Sequence, residues 1–374
     1  MLSSITANGK MDNETDPTFD SWTTPDYMSS GTEYYDYIEN ESGICDKSWV
    51  RSFRGSYEPP LYWIIFAVGA VGNLLVVWIY TSVKKRLKTM TDVYLLNLAI
   101  ADLLFLCTLP FWATDATQGW VFNVTVCKGV SAVYKVNFFS SMLLLTCISV
   151  DRYIAIVRVT AAHNFKSKRM FYSKLACLVV WLLSCLLSLP EFLFAKVKEN
   201  SRGDLSCSLV YAVSSNNLTK VMVLCLQISV GFCLPLLVMV VCYSVIIRTL
   251  MQARNFEKHK ALRVIFAVVA AFVISQLPYN SHLVVEAAQA YNATMNDCKD
   301  VKAFDVAGQI VKSLAYMHCC LNPILYAFIG VRFRKDLLRL CHCLTGMGGV
   351  TKAQAVPKRP SVMSDTDTTP ALSL

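Results

Sequence analysis

Asp151-Arg152-Tyr153 stands at the end of an apolar run over residues 130–150. A charged pair at a membrane-helix end is tolerated where water or a partner protein reaches it, so the triplet reads as a surface for protein contact. Asp102 lies in the middle of another apolar run, and a carboxylate at that depth is functional by default. Asn322-Pro323-Ile324-Leu325-Tyr326 closes the last run with a helix-breaking proline that a soluble core helix rarely keeps. The sequence holds no His/Glu zinc motif, no paired carboxylates and no nucleophile elbow, so an enzyme is not expected.

These residues need long helices to position them. The chain is 55% apolar and 16% charged, against roughly 25% charged in soluble domains. Seven apolar runs, at 61–82, 93–113, 130–150, 175–195, 221–247, 262–285 and 306–329, each approach the roughly 20 residues that cross a bilayer as a helix. Only the third, sixth and seventh are expected to accommodate a Lys, Arg or Glu near an end. The expected fold is an all-α membrane protein, a seven-transmembrane helix bundle with an amphipathic eighth helix. Its parts are an acidic tail (1–58), the bundle (59–330), a membrane-surface helix (331–343) and a polar regulatory tail (344–374). No internal halves or broken helices of a transporter are visible in the sequence.

Two independent features orient the bundle. The segments 81–92, 154–174, 248–263 and 331–374 hold 21 of the 35 Lys and Arg, which the positive-inside rule assigns to the cytoplasm. The five glycosylation sequons begin at Asn13, Asn40, Asn123, Asn217 and Asn292, all in segments left outside. Asn123 stands close to the membrane, which leaves Asn13, Asn40, Asn217 and Asn292 as the expected sites. The protein is expected at the plasma membrane with its amino terminus outside. The net charge of +9 arises mainly in the basic inner loops, so nucleic acid is not an expected partner.

Residues 1–46 contain ten Asp or Glu and a single Lys, with Tyr27, Tyr34, Tyr35 and Tyr37 set among the acids. No basic segment followed by an apolar core opens the chain, so the first span is expected to direct its own insertion. Tyrosines beside carboxylates suit sulfation, and Tyr34, Tyr35 and Tyr37 would then form an anionic arm for a basic protein partner. Of fifteen cysteines, Cys45, Cys127, Cys207 and Cys298 lie in or beside outward segments, and four cysteines allow three pairings. Cys341 and Cys343 follow an amphipathic stretch, Phe333 to Leu340, and are expected to be palmitoylated where it lies on membrane lipid.

The chain resembles a rhodopsin-class G-protein-coupled receptor and, within that class, a chemokine receptor. Gly72-Asn73, Leu95-Leu96-Asn97-Leu98-Ala99-Ile100-Ala101-Asp102-Leu103, Thr108-Leu109-Pro110-Phe111-Trp112 and Asp151-Arg152-Tyr153-Ile154-Ala155-Ile156-Val157 carry the likeness. Trp181, Pro235 with Tyr243, Gln276-Leu277-Pro278-Tyr279-Asn280 and His318-Cys319-Cys320-Leu321-Asn322-Pro323 continue it, so it covers residues 45–343. Pro59-Pro60-Leu61-Tyr62-Trp63 and Lys88-Thr89-Met90-Thr91-Asp92 add a likeness to one C-C subtype.

The resemblance implies bridges Cys127–Cys207 and Cys45–Cys298. It implies a ligand cavity lined by Tyr62, Trp112, Tyr134, Phe138, Tyr279, Gln309, Lys312 and Tyr316, with Glu286 at its mouth. Lys312 and Gln276 depart from the family, which mostly places Glu at the first position and often Trp at the second. It implies that Asp102, Asn137, Ser141 and Asn322, with Asn73, form an allosteric sodium and polar-switch site, the only cofactor expected. Asp151, Arg152, Tyr153, Tyr243 and Tyr326 would couple to a heterotrimeric G protein of the inhibitory class, raising calcium and driving chemotaxis. Lys258 stands where many relatives hold Arg152 with an acid, so rest must be enforced otherwise. Ser361, Ser364, Thr366, Thr368 and Thr369 would be phosphorylated by receptor kinases for arrestin. A retinal protein is disfavoured because Lys312 lies eleven residues before Pro323, not seven. A scavenging, non-signalling chemokine receptor or another peptide receptor of the class is the alternative; scavengers commonly lose part of the Asp151 to Val157 motif, which is intact here.

Overall fold

The computed structural model describes residues 39–40, 43–83, 89–158, 168–199, 203–211, 217–252, 256–292, 295 and 297–329. Asn13, Tyr34, Tyr35, Tyr37, Cys341, Cys343, Ser361, Ser364, Thr366, Thr368, Thr369 and the eighth helix lie outside the described residues, as do the side chains of Asn40, Lys258 and Tyr326.

Among the described residues, seven spans are built from eleven α-helices. Span one is α1 (Ser48–Trp78), span two α2 (Met90–Leu106) with α3 (Leu109–Gln118), and span three α4 (Val124–Val157). Span four is α5 (Arg169–Leu187) with α6 (Leu189–Phe194), and span five α7 (Leu218–Ile228) with α8 (Leu234–Gln252). Span six is α9 (Phe256–Tyr291), and span seven α10 (Cys298–Tyr316) with α11 (His318–Ile329). Two strand pairs cap one end, β1 (Glu39–Asn40) with β2 (Gly43–Ile44), and β3 (Ala195–Glu199) with β4 (Leu205–Leu209). Among the described residues the first five spans are long and apolar enough by themselves to cross a membrane. Span seven carries Lys299, Asp300, Lys302, Asp305 and Lys312 in α10. Span three is central, packing on spans two, four and five, while span one closes on spans two and seven.

The helix ends and breaks follow from local chemistry. Thr89 and Asp92 cap α2 reciprocally, each side chain accepting the other's backbone N–H. Asn123 caps α4 by accepting the Val126 amide at 2.9 Å, so this sequon asparagine has a structural task. Pro110 and Pro190 cannot donate to the preceding turn, and both follow a hydroxyl residue that takes over a carbonyl. Thr108 donates to Phe105 O at 2.7 Å, and Ser188 to Cys185 O at 2.9 Å. Spans two and four therefore break at Thr108 and Ser188. Span five carries a π-helical turn at Ser229–Cys233 just ahead of Pro235, and span seven breaks at Met317. Among the described residues spans two, four and seven are each divided into two helices and span five carries a π turn, with a hydroxyl or a local turn within the bundle serving the freed carbonyls.

Close approach of the spans rests on glycine. A Cβ on Gly72 would stand 2.8 Å from Pro323, and one on Gly231 2.6 Å from Phe138. Span four also holds a buried acid, Glu191, 4% exposed, which corrects the expectation that only the third, sixth and seventh spans carry such a residue.

Candidate functional site

Three polar sites are strung along the bundle axis. At the disulfide-bearing end, Cys127 at the start of α4 pairs with Cys207 on β4, and Cys45 pairs with Cys298 at the start of α10. Ion pairs back both bridges. Arg54 of span one contacts Glu58 at 3.0 Å and Asp115 of span two at 2.7 Å, and Asp115 accepts the Cys207 amide at 3.5 Å. Lys47 reaches Asp305 of α10 at 2.9 Å, beside the Cys45–Cys298 bridge.

Below these bridges, rings converge from four spans. Tyr316 meets Phe105, Tyr134 and Tyr62 with centroids 4.9, 5.1 and 5.7 Å apart. Lys312 rests over Trp112 and Tyr316 at 5.5 and 5.7 Å, so its charge is held by two ring faces. Tyr279 joins Leu224 and Leu283 in an apolar cluster, and Gln309 offers a buried Oε1 that has no protein partner. Tyr62, 1% exposed, joins the ring cluster through Tyr316, and Phe138, 2% exposed, packs against Phe139 and Gly231.

Glu286 is placed at the mouth, but Lys220 of span five holds it at 3.1 Å. Deeper between spans three, four and five, Lys135 bonds Gln227 and lies 3.4 Å from Glu191, all three buried. Burial, with Glu191 and Glu286 nearby, holds the Tyr211 phenol neutral, well above its ordinary range. The sequence reading missed Arg54, Asp115, Lys135, Glu191 and Lys220. For Lys135 and Glu191 a charge inside an apolar run was the available signal, but the partner stands on another helix.

At mid-depth Asp102, fully buried, accepts from Asn137 at 3.0 Å and from Asn322 at 2.9 Å. Ser141 reaches this cluster through Asn137 at 3.5 Å. Asn73 turns away to the carbonyls of Gly69 and Cys319 at 3.0 and 2.9 Å. His318 Nε2 lies 3.7 Å from Asp102 and 3.5 Å from the Cys319 sulfur. This set does not fit the sodium ion that the resemblance implies. The donors are mixed, since beside the oxygens of Ser141 and Asn137 stand an imidazole nitrogen and a thiol sulfur, whereas hard cations take shells of oxygen alone.

At the opposite end Asp151, Arg152 and Tyr153 meet span two and span four. Arg152 bonds the Thr91 hydroxyl and lies 3.7 Å from Asp151. Asp151 is held more closely by Arg169 of α5, at 2.7 Å, and accepts from Thr91 at 3.4 Å. Tyr243 is buried with its phenol 2.9 Å from the Ser149 hydroxyl, and Tyr153 packs beside the core cluster.

Seven helices around a buried carboxylate, with a bridged cap and a caged arginine at opposite ends, define a membrane receptor. The pattern of the seven-transmembrane receptor family (rhodopsin family) matches residues 72–326. C-C chemokine receptor type 9 of Ovis aries is 46% identical over 88% of this chain and 89% of its own length. C-C chemokine receptor type 7 of Homo sapiens is 48% identical over 85% and 82%, and type 6 of Homo sapiens 44% identical over 84% and 83%. The chain belongs to the rhodopsin family of seven-transmembrane receptors and, within it, to the C-C chemokine receptors. The subtype that Pro59 to Trp63 and Lys88 to Asp92 resemble is type 9.

Proposed function

We propose that this multi-pass protein displays its disulfide-bearing end outside the cell, takes a basic C-C chemokine there, and activates an inhibitory-class heterotrimeric G protein inside, raising calcium and driving chemotaxis. The observation that carries the reading is 46–48% identity with C-C chemokine receptors of types 9 and 7 over most of the chain. Capture begins at the acidic tail, whose ten acids and sulfated Tyr34, Tyr35 and Tyr37 attract the ligand's folded core. The ligand's amino-terminal cation then competes with Lys220 for Glu286. Lys220 belongs to span five and Glu286 to span six, so exchange of that 3.1 Å pair loosens the two spans from one another. Span six is the moving element, because Pro278 weakens its hydrogen-bond ladder. Receptor kinases and arrestin act afterwards on the phosphorylated tail.

A panel of chemokines screened for calcium release and cyclic-AMP suppression in cells expressing the chain tests this directly. One or more C-C ligands should give both responses; ligand uptake with neither response would make the protein a scavenger. Two variants separate the steps. Changing Tyr34, Tyr35 and Tyr37 to Phe removes the sulfates and keeps the rings. Exposed charges are screened beyond about 8 Å at physiological salt, so this triple variant should show slower association and a flatter salt dependence at unchanged expression. Glu286→Gln should lower maximal signalling while the salt dependence of association stays at the wild-type slope. Wild-type on-rates at every salt concentration in the triple Phe chain would remove the capture step.

A further inference from the structure

The donor set around Asp102 misfits sodium but matches a borderline or soft divalent ion. We propose that Asp102, His318 and Cys319 form a binding site for a transition-metal ion of the Zn²⁺ type, clamping span two to the break in span seven. One ligand atom from each residue lies within 4.8 Å of the others, and all three residues are buried. Tetrahedral zinc, with bonds of about 2.0–2.1 Å to N and O and 2.3 Å to S, sets its ligand atoms roughly 3.3–3.6 Å apart. The Nε2–Sγ separation is 3.5 Å and the Nε2–Oδ1 separation 3.7 Å, so these two spacings come close before any ion draws them in. Asn137 Oδ1, 4.0 Å from the sulfur, lies towards the fourth corner.

Protonation and charge suit the ion as well. His318 Nδ1 stands 2.6 Å from the Ala315 carbonyl, and a carbonyl can only accept. Nδ1 therefore carries a hydrogen, and in the neutral form of the ring the Nε2 lone pair would face Asp102 and Cys319. A carbonyl behind a ligating histidine is a familiar outer-shell arrangement for metals. The Ala315 carbonyl exists as an open acceptor because span seven breaks between α10 and α11, and Gln276 of span six donates to it at 3.1 Å. On binding, the Cys319 thiol proton leaves to solvent. A divalent ion with one carboxylate and one thiolate is then neutral, which a low-dielectric interior tolerates best.

Gln276, whose Nε2 lies 3.3 Å from His318 Nδ1, holds a buried Oε1 with no protein partner, an acceptor of the kind that water serves. The clamp would hold the polar centre in its resting pairing, since Asn322, which bonds Asp102 at 2.9 Å, lies three residues beyond Cys319.

The test uses the full-length receptor in lipid nanodiscs. One equivalent of Co²⁺ should produce the thiolate-to-cobalt charge-transfer band and the visible bands of a tetrahedral ion. Zn²⁺ should displace it, and zinc X-ray absorption should show one sulfur among nitrogen and oxygen neighbours. Cys319→Ser should abolish the charge-transfer band, His318→Gln should weaken binding at least about tenfold, and Cys320→Ser should change neither. Chemokine affinity in metal-free buffer reports that each variant is folded. If Cys319→Ser does not fold, Cys319→Ala and the sulfur count of the wild-type zinc shell decide. A shell of oxygen and nitrogen alone, a charge-transfer band that survives loss of Cys319, or no stoichiometric binding would each overturn the assignment.

Discussion

Replacing Arg152 by Asn will leave chemokine affinity within a few-fold of wild type and eliminate nucleotide exchange on the G protein. Arg152 lies at the end of α4 opposite the bridges, and its contacts are Thr91 and Asp151, none of them on the ring cavity. Asn keeps a polar group near Thr91, but it cannot extend a guanidinium towards a partner. The resting cage also differs from an acid on span six. Asp151 is pinned by Arg169 at 2.7 Å and shares Thr91 with Arg152. Arg169→Ala removes the closer cation from Asp151 and strengthens the Asp151–Arg152 pair, so basal exchange should fall. Chemokine binding and GTPγS loading, measured on the same membranes, check both statements. Full exchange by Arg152→Asn would show that the Asp-Arg-Tyr end does not carry coupling.

How far the sequence could be read depended on whether a feature is local to one helix. The seven spans, the Asp102 position and the hydroxyl-x-Pro segments are written in runs of consecutive residues. The rotation of each helix about its axis is not, and rotation decides which charges meet. Lys135 and Glu191 are each visible as a charge in an apolar run, but their pairing spans two helices. Glu286 looked free for the ligand's terminus because nothing near it in sequence announces Lys220, which is 66 residues earlier. Phe138 packs where Gly231 lets span five approach closely, a contact that no run of consecutive residues announces. His318 and Cys319 were legible as part of a motif, whereas their lone-pair geometry needed the break at Met317.

Cys127→Ser will abolish chemokine binding at the cell surface, whereas Cys45→Ser will only weaken it. The difference follows from what each bridge positions. Cys207 belongs to β4, whose register pairs Val197 with Cys207 and Ala195 with Leu209, so the Cys127 bridge docks the whole β3–β4 hairpin on the start of span three. Gly119, in the left-handed region with φ 75°, passes so close to β4 that a Cβ there would stand 2.7 Å from the Leu205 carbonyl. Trp120, 1% exposed, donates its amide to that same carbonyl at 2.7 Å. Without Cys127 the hairpin loses this covalent tie to span three and is left with the Asp115 contact at 3.5 Å, these edge bonds and the packing of Ala195 and Leu209 on Trp120 and Val130. The loop closed by this bridge spans 80 residues, for which chain entropy alone gives roughly 4–5 kcal/mol. Cys45–Cys298 closes a longer loop of 253 residues, but Lys47 and Asp305 hold the same two segments at 2.9 Å when it is cut. Cys45→Ser with Lys47→Ala should therefore lose more affinity than the two single losses combined, which a double-mutant cycle of chemokine Kd values reads directly. Additive losses would mean that the ion pair does not share the work of the bridge, and full binding by Cys127→Ser would mean that the hairpin docks without its covalent tie.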